Sequence, residues 1–430
     1  MQNLDNTLPQ NWAFRFFTIW TGQAFSLFGS ALVQFALVWW LTQKTGSAVV
    51  LTMATLVGML PQIVIGPFAG ALVDRWSRRA VMILADGFIA VFTLVLIWLF
   101  ASGRVQTWHI YVIMAVRSLG GAFHFPAMGA STTLMVPEKH LTRVSGINQT
   151  LQGLIGLVAP PAGALLLGVM TTGHVLAIDV ITAVLAILPL LFFTIPQPAR
   201  SSPQTAPGKA GLFSDVREGL RYVRGWPGMM AVLGMAFLIN FLLTPTSSLA
   251  PLLIKKYFGK GALEFGLFDS AWGFGVIAGG LILGAWGGFR KKIVTCLTGI
   301  MGIGVGVSLV GLAPANAFWL ALVGMAFVGI MNPVANGPLF ALLQTLVRPD
   351  MQGRVMALVS SFATAMTPLG LLIAGPLSEV IGIRAWYWIG GALTLLMGMS
   401  GFAFPAVMRI EDNRGAGREP GPSERPSPAA

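Results

Sequence analysis

Long apolar runs alternate with short polar breaks along almost the whole chain. Runs of about 20 mostly apolar residues are long enough to cross a bilayer as helix. They fall near residues 16–42, 48–72, 80–101, 108–130, 149–171, 174–195, 227–252, 265–287, 292–313, 316–340, 354–377 and 385–408. The pattern predicts an all-α membrane protein with twelve transmembrane helices. The one long break, residues 196–226, divides them six and six.

The break has two parts. "PQPARSSPQTAPGKAG" reads as a flexible linker. "LFSDVREGLRYVR" carries Leu212, Val216, Leu220 and Val223 at helical spacing, with Arg217, Arg221 and Arg224 on another face. That pattern predicts an amphipathic helix lying on an anionic leaflet. The expected organisation is a first bundle over 1–195, a linker over 196–226, a second bundle over 227–409 and a disordered tail over 410–430.

Composition agrees. The chain has 430 residues, 55% hydrophobic and 10% charged, against about 25% charged in a soluble domain. Net charge is +12, but no basic helix is interleaved with stacking aromatics, so nucleic acid is not an expected partner. The lone Cys296 excludes a disulfide framework. No H-E-x-x-H, G-x-S-x-G or Walker lysine occurs, so the sequence predicts no enzyme, metal or cofactor.

Cations set the orientation. With both termini inside, Arg15, Arg75, Arg78, Arg79, Lys139, Arg143, Arg200, Lys209, Arg217, Arg221, Arg224, Arg290, Lys291, Lys292, Arg348, Arg354, Arg409, Arg414, Arg418 and Arg425 are cytoplasmic. Lys44, Arg104, Lys255, Lys256, Lys260 and Arg384 are outside, a ratio of 20 to 6. The chain also repeats itself. "TLMVPEKHLTRV" from Thr133 aligns with "TLVRPDMQGRV" from Thr345, and "PAGALLLG" from Pro161 with "PLGLLIAG" from Pro368. Two six-helix halves in one orientation follow.

Between the second and third spans, "GALVDRWSRR" packs Asp74, Arg75, Arg78 and Arg79 into six positions. Two parallel six-helix repeats with a G-x-x-x-D-R-x-G-R-R loop, here Gly70, Asp74, Arg75, Ser77 in place of glycine, Arg78 and Arg79, resemble the major facilitator superfamily. The resemblance implies two bundles related by pseudo-twofold symmetry. It also implies a loop that acts as a conformational gate at the inner rim. Gly66 and Gly70 would let the second helix approach a neighbour closely. A second reading of the arginines is that they only fix topology.

Arg117 lies mid-membrane in "RSLGGAFHFPA", where a lone cation costs roughly 2.5–3.5 kcal/mol and calls for a partner. "R-x-x-G" in a fourth helix resembles the facilitator motif associated with proton transfer. Asp86, Arg117, His124 and Asp179 are the proton-coupling candidates. Asp86 could instead anchor the loop arginines, His124 could be a packed polar residue, and Asp179 and Asp269 could be interfacial. Gly156, Pro160, Gly163, Ala164 and Gly168 form a smooth helix-packing stripe. It loosely resembles the antiporter motif and favours export.

Gln23, Gln34, Gln62, Phe123, Phe125, Asn240, Phe241, Asn332 and Asn336 are the expected cavity residues, a sparse polar set suited to amphipathic molecules. "ALVWWLTQKTGSA", "GPFAGALVDRWSRR", "DVREGLRYVR" and "GRVMALVSS" together resemble bacterial macrolide-efflux-type facilitators. That resemblance implies a monomeric, multi-pass bacterial plasma-membrane transporter that exports drug- or macrolide-like molecules by alternating access and proton antiport. Export of a siderophore or lysophospholipid is the alternative within the fold; a non-transporting sensor or scaffold is the alternative outside it.

Overall fold

The computed structural model describes residues 11–73, 75–195, 221, 223–224, 226–347 and 351–411. Among them the chain is helical, without strands. Twelve long helices follow in order: α1 Trp12–Thr45, α2 Ala48–Val73, α3 Arg78–Ala101, α4 Thr107–Met135, α5 Glu138–Val169 and α6 Thr172–Phe192; then α7 Pro227–Lys256, α8 Ala262–Trp286, α9 Lys292–Leu312, α10 Phe318–Leu346, α11 Gln352–Ile381 and α12 Ile383–Ala403. A single turn, α13 Pro405–Met408, ends the described chain. Eleven of these helices carry a stretch apolar enough to cross a membrane. In α12, Trp386, Tyr387, Trp388 and four glycines dilute the hydropathy, but its 21 residues still reach about 31 Å.

Two boundaries depart from the sequence pattern. α5 begins at Glu138, eleven residues before the predicted 149. Its first turns are polar on one side but bury Val144 against Phe16, Val73 and Val136, so the helix continues beyond its apolar section. The predicted last span, 385–408, breaks at Ala403. Phe404 is extended there because Pro405 disfavours helical backbone in the residue before it and lacks an N–H. Of the predicted linker helix, only Arg221, Val223 and Arg224 are described, and Val223 is buried in the second half. The tail from residue 412 lies outside the described residues.

The packing repeats with a shift of six helices. In the first half α1 packs on α5 and α6, α2 on α4, and α3 on α4 and α6. In the second, α7 packs on α11 and α12, α8 on α10, and α9 on α10 and α12. The halves meet through α2 against α11 and α5 against α8, a pair of contacts that also exchange under the same shift. Small residues make these approaches possible. A methyl group at Gly266 would lie 2.8 Å from the Pro160 carbonyl oxygen on α5, and one at Gly273 would lie 3.3 Å from Gly156.

We call the end of the molecule that carries Trp12 and Glu411 the terminal face. At the other end, the opposite face, the halves are bonded together. Glu379 on α11 accepts from Ser47 Oγ at 2.6 Å and from the Val49 N–H at 3.4 Å. Lys255 Nζ donates to the carbonyls of Thr42 and Gln43 at 3.0 and 3.1 Å. Thr55 and Ser248 hydroxyls lie 2.8 Å apart, and Phe35 stacks on Phe265 with ring centres 4.9 Å apart. Residues from both halves build one apolar cluster here, including Leu37, Leu51, Leu249 and Leu253. At the terminal face each half keeps its own cluster: Phe16, Val73, Met82 and Leu190 in the first, Met229, Ile293, Leu343 and Val355 in the second. Gly66 and Gly70 were expected to touch a neighbour, but among the described residues a methyl group on either would meet nothing within 4 Å. The end of α2 that holds them reaches the terminal face, where the described residues of the two halves form separate apolar clusters.

Candidate transport site

Two polar layers cross the first half, each built by α1, α3, α4 and α6. In the layer nearer the terminal face, Gln23 Nε2 donates to Asp86 Oδ2 at 3.3 Å and to the Ala186 carbonyl at 3.5 Å. His124 Nε2 lies 2.7 Å from Gln23 Oε1 and 3.5 Å from Asp86 Oδ1. With the amide nitrogen of Gln23 turned to the carboxylate, its oxygen can only accept, so His124 Nε2 carries the hydrogen.

In the second layer Arg117 Nη1 meets Asp179 Oδ2 at 2.5 Å, and Arg117 Nη2 donates to the Ser30 carbonyl at 3.2 Å. Ser30 Oγ donates to Asp179 Oδ1 at 3.0 Å and Thr93 Oγ1 to Oδ2 at 3.5 Å. Every helix contributes to both layers from positions seven residues apart: Gln23 and Ser30, Asp86 and Thr93, Arg117 and His124, Asp179 and Ala186. Seven residues are two helical turns, so the layers are stacked about 10 Å apart on one inward stripe of each helix. Asp179 is thus the internal partner of Arg117 rather than an interfacial residue, and Asp86 faces Gln23 and His124.

A cavity of about 400 Å³ opens onto both layers. Asp86, Arg117, His124, Gln34 and Phe125 line it, with Ser30 and Gln152, which the sequence pattern did not single out. A second cavity, of about 560 Å³, lies in the second half and is closed on one side by Gly156 and Pro160 of α5. Asn240, Asn332 and Asn336 line it, together with Asp269, Trp272 and Tyr387. The amides of Asn240 and Asn336 each donate one hydrogen to their own helix, at the carbonyls of Ala236 and Asn332.

Gln23 is fully buried behind the first cavity. Gln62, Phe123 and Phe241, also expected in the pathway, line neither cavity. Phe123 instead stacks on Trp76 in the loop after α2, and the Phe241 carbonyl packs against Gly370. Of the α5 stripe, Gly163 lies against Phe35 and Ala164 is buried, whereas a methyl group on Gly168 would meet nothing within 4 Å among the described residues.

Of the charged loop, Asp74 lies outside the described residues. Arg75 is exposed, Ser77 caps α3 by accepting from the Ala80 N–H, Arg78 is buried, and Arg79 donates to the Leu191 carbonyl at 2.8 Å. These contacts of Ser77 and Arg79, like the stacking of Trp76 on Phe123, stay within the first half.

The sequence is matched by a family model, the Major Facilitator Superfamily, over residues 19–249 and again over 232–429. The chain belongs to the major facilitator superfamily. As a facilitator it is a membrane transporter rather than an enzyme. It is 35% identical to Macrolide efflux protein A of Streptococcus pyogenes over 385 residues, which covers 90% of this chain and 94% of that one. It is 29% identical to the multidrug efflux pump Tap of Mycobacterium tuberculosis, covering 89% and 91%. Among solved facilitators, a bacterial homologue of the human lysosomal transporter Spinster, inward-facing and unoccupied, is similar with TM-score 0.66 at 15% identity, covering 96% of this chain and 99% of that one. A POT family transporter in complex with a thioalcohol-conjugated peptide is similar with TM-score 0.72 at 11% identity, covering 94% and 97%. At those identities the structural likeness concerns the fold alone.

Proposed function

We propose that this facilitator exports amphipathic, drug- or macrolide-like small molecules across the plasma membrane by alternating access, in exchange for protons. The likeness to Macrolide efflux protein A over nine-tenths of the chain carries the reading, and the likeness to the multidrug pump Tap supports it. The terminal face is the cytoplasmic one, in keeping with the excess of cations in its loops. In that orientation the sealed opposite face is the exterior, and the cavities await substrate from inside the cell.

The polar layers supply a route for coupling. A proton on Asp179 would leave Arg117 without its counter-charge in a low-dielectric site, which is costly unless the wall rearranges. A proton on Asp86 would remove the charge that Gln23 and His124 now face. Either event changes what the cavity presents to a bound molecule. When the inner mouth shuts, the loop of Gly70, Asp74, Arg75, Arg78 and Arg79 meets the second half as a latch. Exposed ion pairs worth about 0–1 kcal/mol each suit contacts that must form and break every cycle. One monomer in its bilayer holds the complete pathway.

The test is reconstitution of the full chain in proteoliposomes with a pH indicator inside. A panel of macrolides, other drugs and siderophores is expected to yield at least one compound that moves protons and accumulates against its gradient. No proton movement and no accumulation with any compound overturns the reading.

A further inference from the structure

The second cavity contains a carboxylate that its half of the protein leaves uncompensated. Asp269 on α8 lines it, and Asp269 has neither hydrogen bond nor ion pair among the described residues. Among the described residues no lysine, arginine or histidine lines the cavity. Tyr387, in the same wall, gives its single hydroxyl hydrogen to the Thr246 carbonyl. The first half is different: Asp86 is held by Gln23 and His124, and Asp179 by Arg117, Ser30 and Thr93. One half of the repeat is therefore electrostatically closed and the other is not.

A carboxylate in a largely apolar cavity is stable either protonated or beside a counter-charge, and a bound cation supplies the second. Trp272, one helical turn on from Asp269, lines the same cavity and is 39% exposed. The face of an indole attracts weakly hydrated cations. The rest of the wall divides between amides, Asn240, Asn332 and Asn336, and aliphatic side chains such as Ile300 and Val328. A volume of about 560 Å³ lies within the range of pockets that hold drug-sized ligands, about 300–1,000 Å³.

We infer that the second-half cavity is a cation subsite: the substrate is an amphipathic organic cation whose charged group is held by Asp269 beside Trp272 while its apolar body lies on the aliphatic wall. The inference rests on the export reading for the premise that this cavity takes substrate.

The experiment is equilibrium binding of radiolabelled tetraphenylphosphonium to the purified full-length protein in nanodiscs, with neutral triphenylphosphine oxide as competitor. Wild type is expected to prefer the cation at least tenfold. Asp269→Asn, which keeps the shape of the side chain, is expected to lower cation affinity at least tenfold and leave the neutral competitor unchanged, an internal check on folding. Asp269→Glu is expected to restore most of the preference, and Trp272→Ala to weaken the cation alone. A wild type with no preference, or Asp269→Asn binding the cation within threefold of wild type, overturns the subsite. Either result leaves the export reading to its own assay with the unaltered protein, which does not depend on a cationic probe.

Discussion

Arg117 on α4 and Asp179 on α6 lie 62 residues apart in sequence and 2.5 Å apart in the fold. Removing one partner of a buried pair leaves the other charge unpaired, typically at about 3–5 kcal/mol, whereas replacing both with apolar residues is often neutral. Arg117→Leu and Asp179→Leu are each expected to lower the melting temperature in detergent sharply. The double variant is expected to recover most of that stability without recovering transport. Thermal unfolding followed by intrinsic tryptophan fluorescence checks the first part and vesicle accumulation the second. A double variant as unstable as either single one would show that the pair is not a closed electrostatic unit.

Asp86 is the carboxylate nearer the terminal face. Asp86→Asn keeps a group that can bond to Gln23 and His124 but removes the titratable charge. It is expected to bind substrate within a few-fold of wild type while substrate-dependent proton release falls to background. Unchanged proton release clears Asp86 of a role in coupling.

At the interface of α5 and α8 the backbones are too close for a side chain on Gly266. Its added carbon would meet Pro160 and Pro161 backbone at 2.8–2.9 Å. Gly266→Val is expected to force the halves apart at a cost of about 1–3 kcal/mol, the usual range for overpacking. Gly168→Ala, on α5 where an added methyl group meets nothing within 4 Å among the described residues, is expected to be within about 0.5 kcal/mol of wild type. Chemical or thermal unfolding of the two variants side by side makes the comparison.

Much of the fold was legible in the sequence because a bilayer demands long apolar helices and puts cations between them. The repeat was legible too, through Pro and Gly positions that recur where helices must bend or touch. The linings were harder to read. Gln62, Phe123 and Phe241 were expected in the pathway and line neither cavity, because lipid-facing and cavity-facing sides of these helices are both apolar and no amphipathic stripe tells them apart. The pairing of Arg117 with Asp179 escaped because Asp179 sits only about two turns from the end of α6 and reads as interfacial. The signal that could have found it is the seven-residue spacing of polar groups on α1, α3 and α4, which places both layers on one stripe. Asp269 escaped for the same reason of depth, eight residues into α8.

The hydrogen bonds of Glu379 to Ser47 and Val49 tie α11 to α2 at the opposite face. In a Cys296→Ala background, Ser47→Cys with Glu379→Cys is expected to cross-link readily in the resting protein and to stop accumulation in vesicles. Reduction of the cross-link is expected to restore it. Transport that continues with the cross-link in place would mean the opposite face need not open.

In the proposed cycle the two halves rock against each other and expose the cavities to one face at a time. Spin labels at Arg75 and Arg290 span the terminal face, and labels at Arg104 and Lys260 span the opposite face; all four residues are exposed. Electron–electron distance measurements in nanodiscs, with and without a transported compound and across a pH series, follow both faces at once. The expected result is a shortening at the terminal face matched by a lengthening at the opposite face. Distances that stay fixed under every condition, or that lengthen and shorten together at both faces, contradict it.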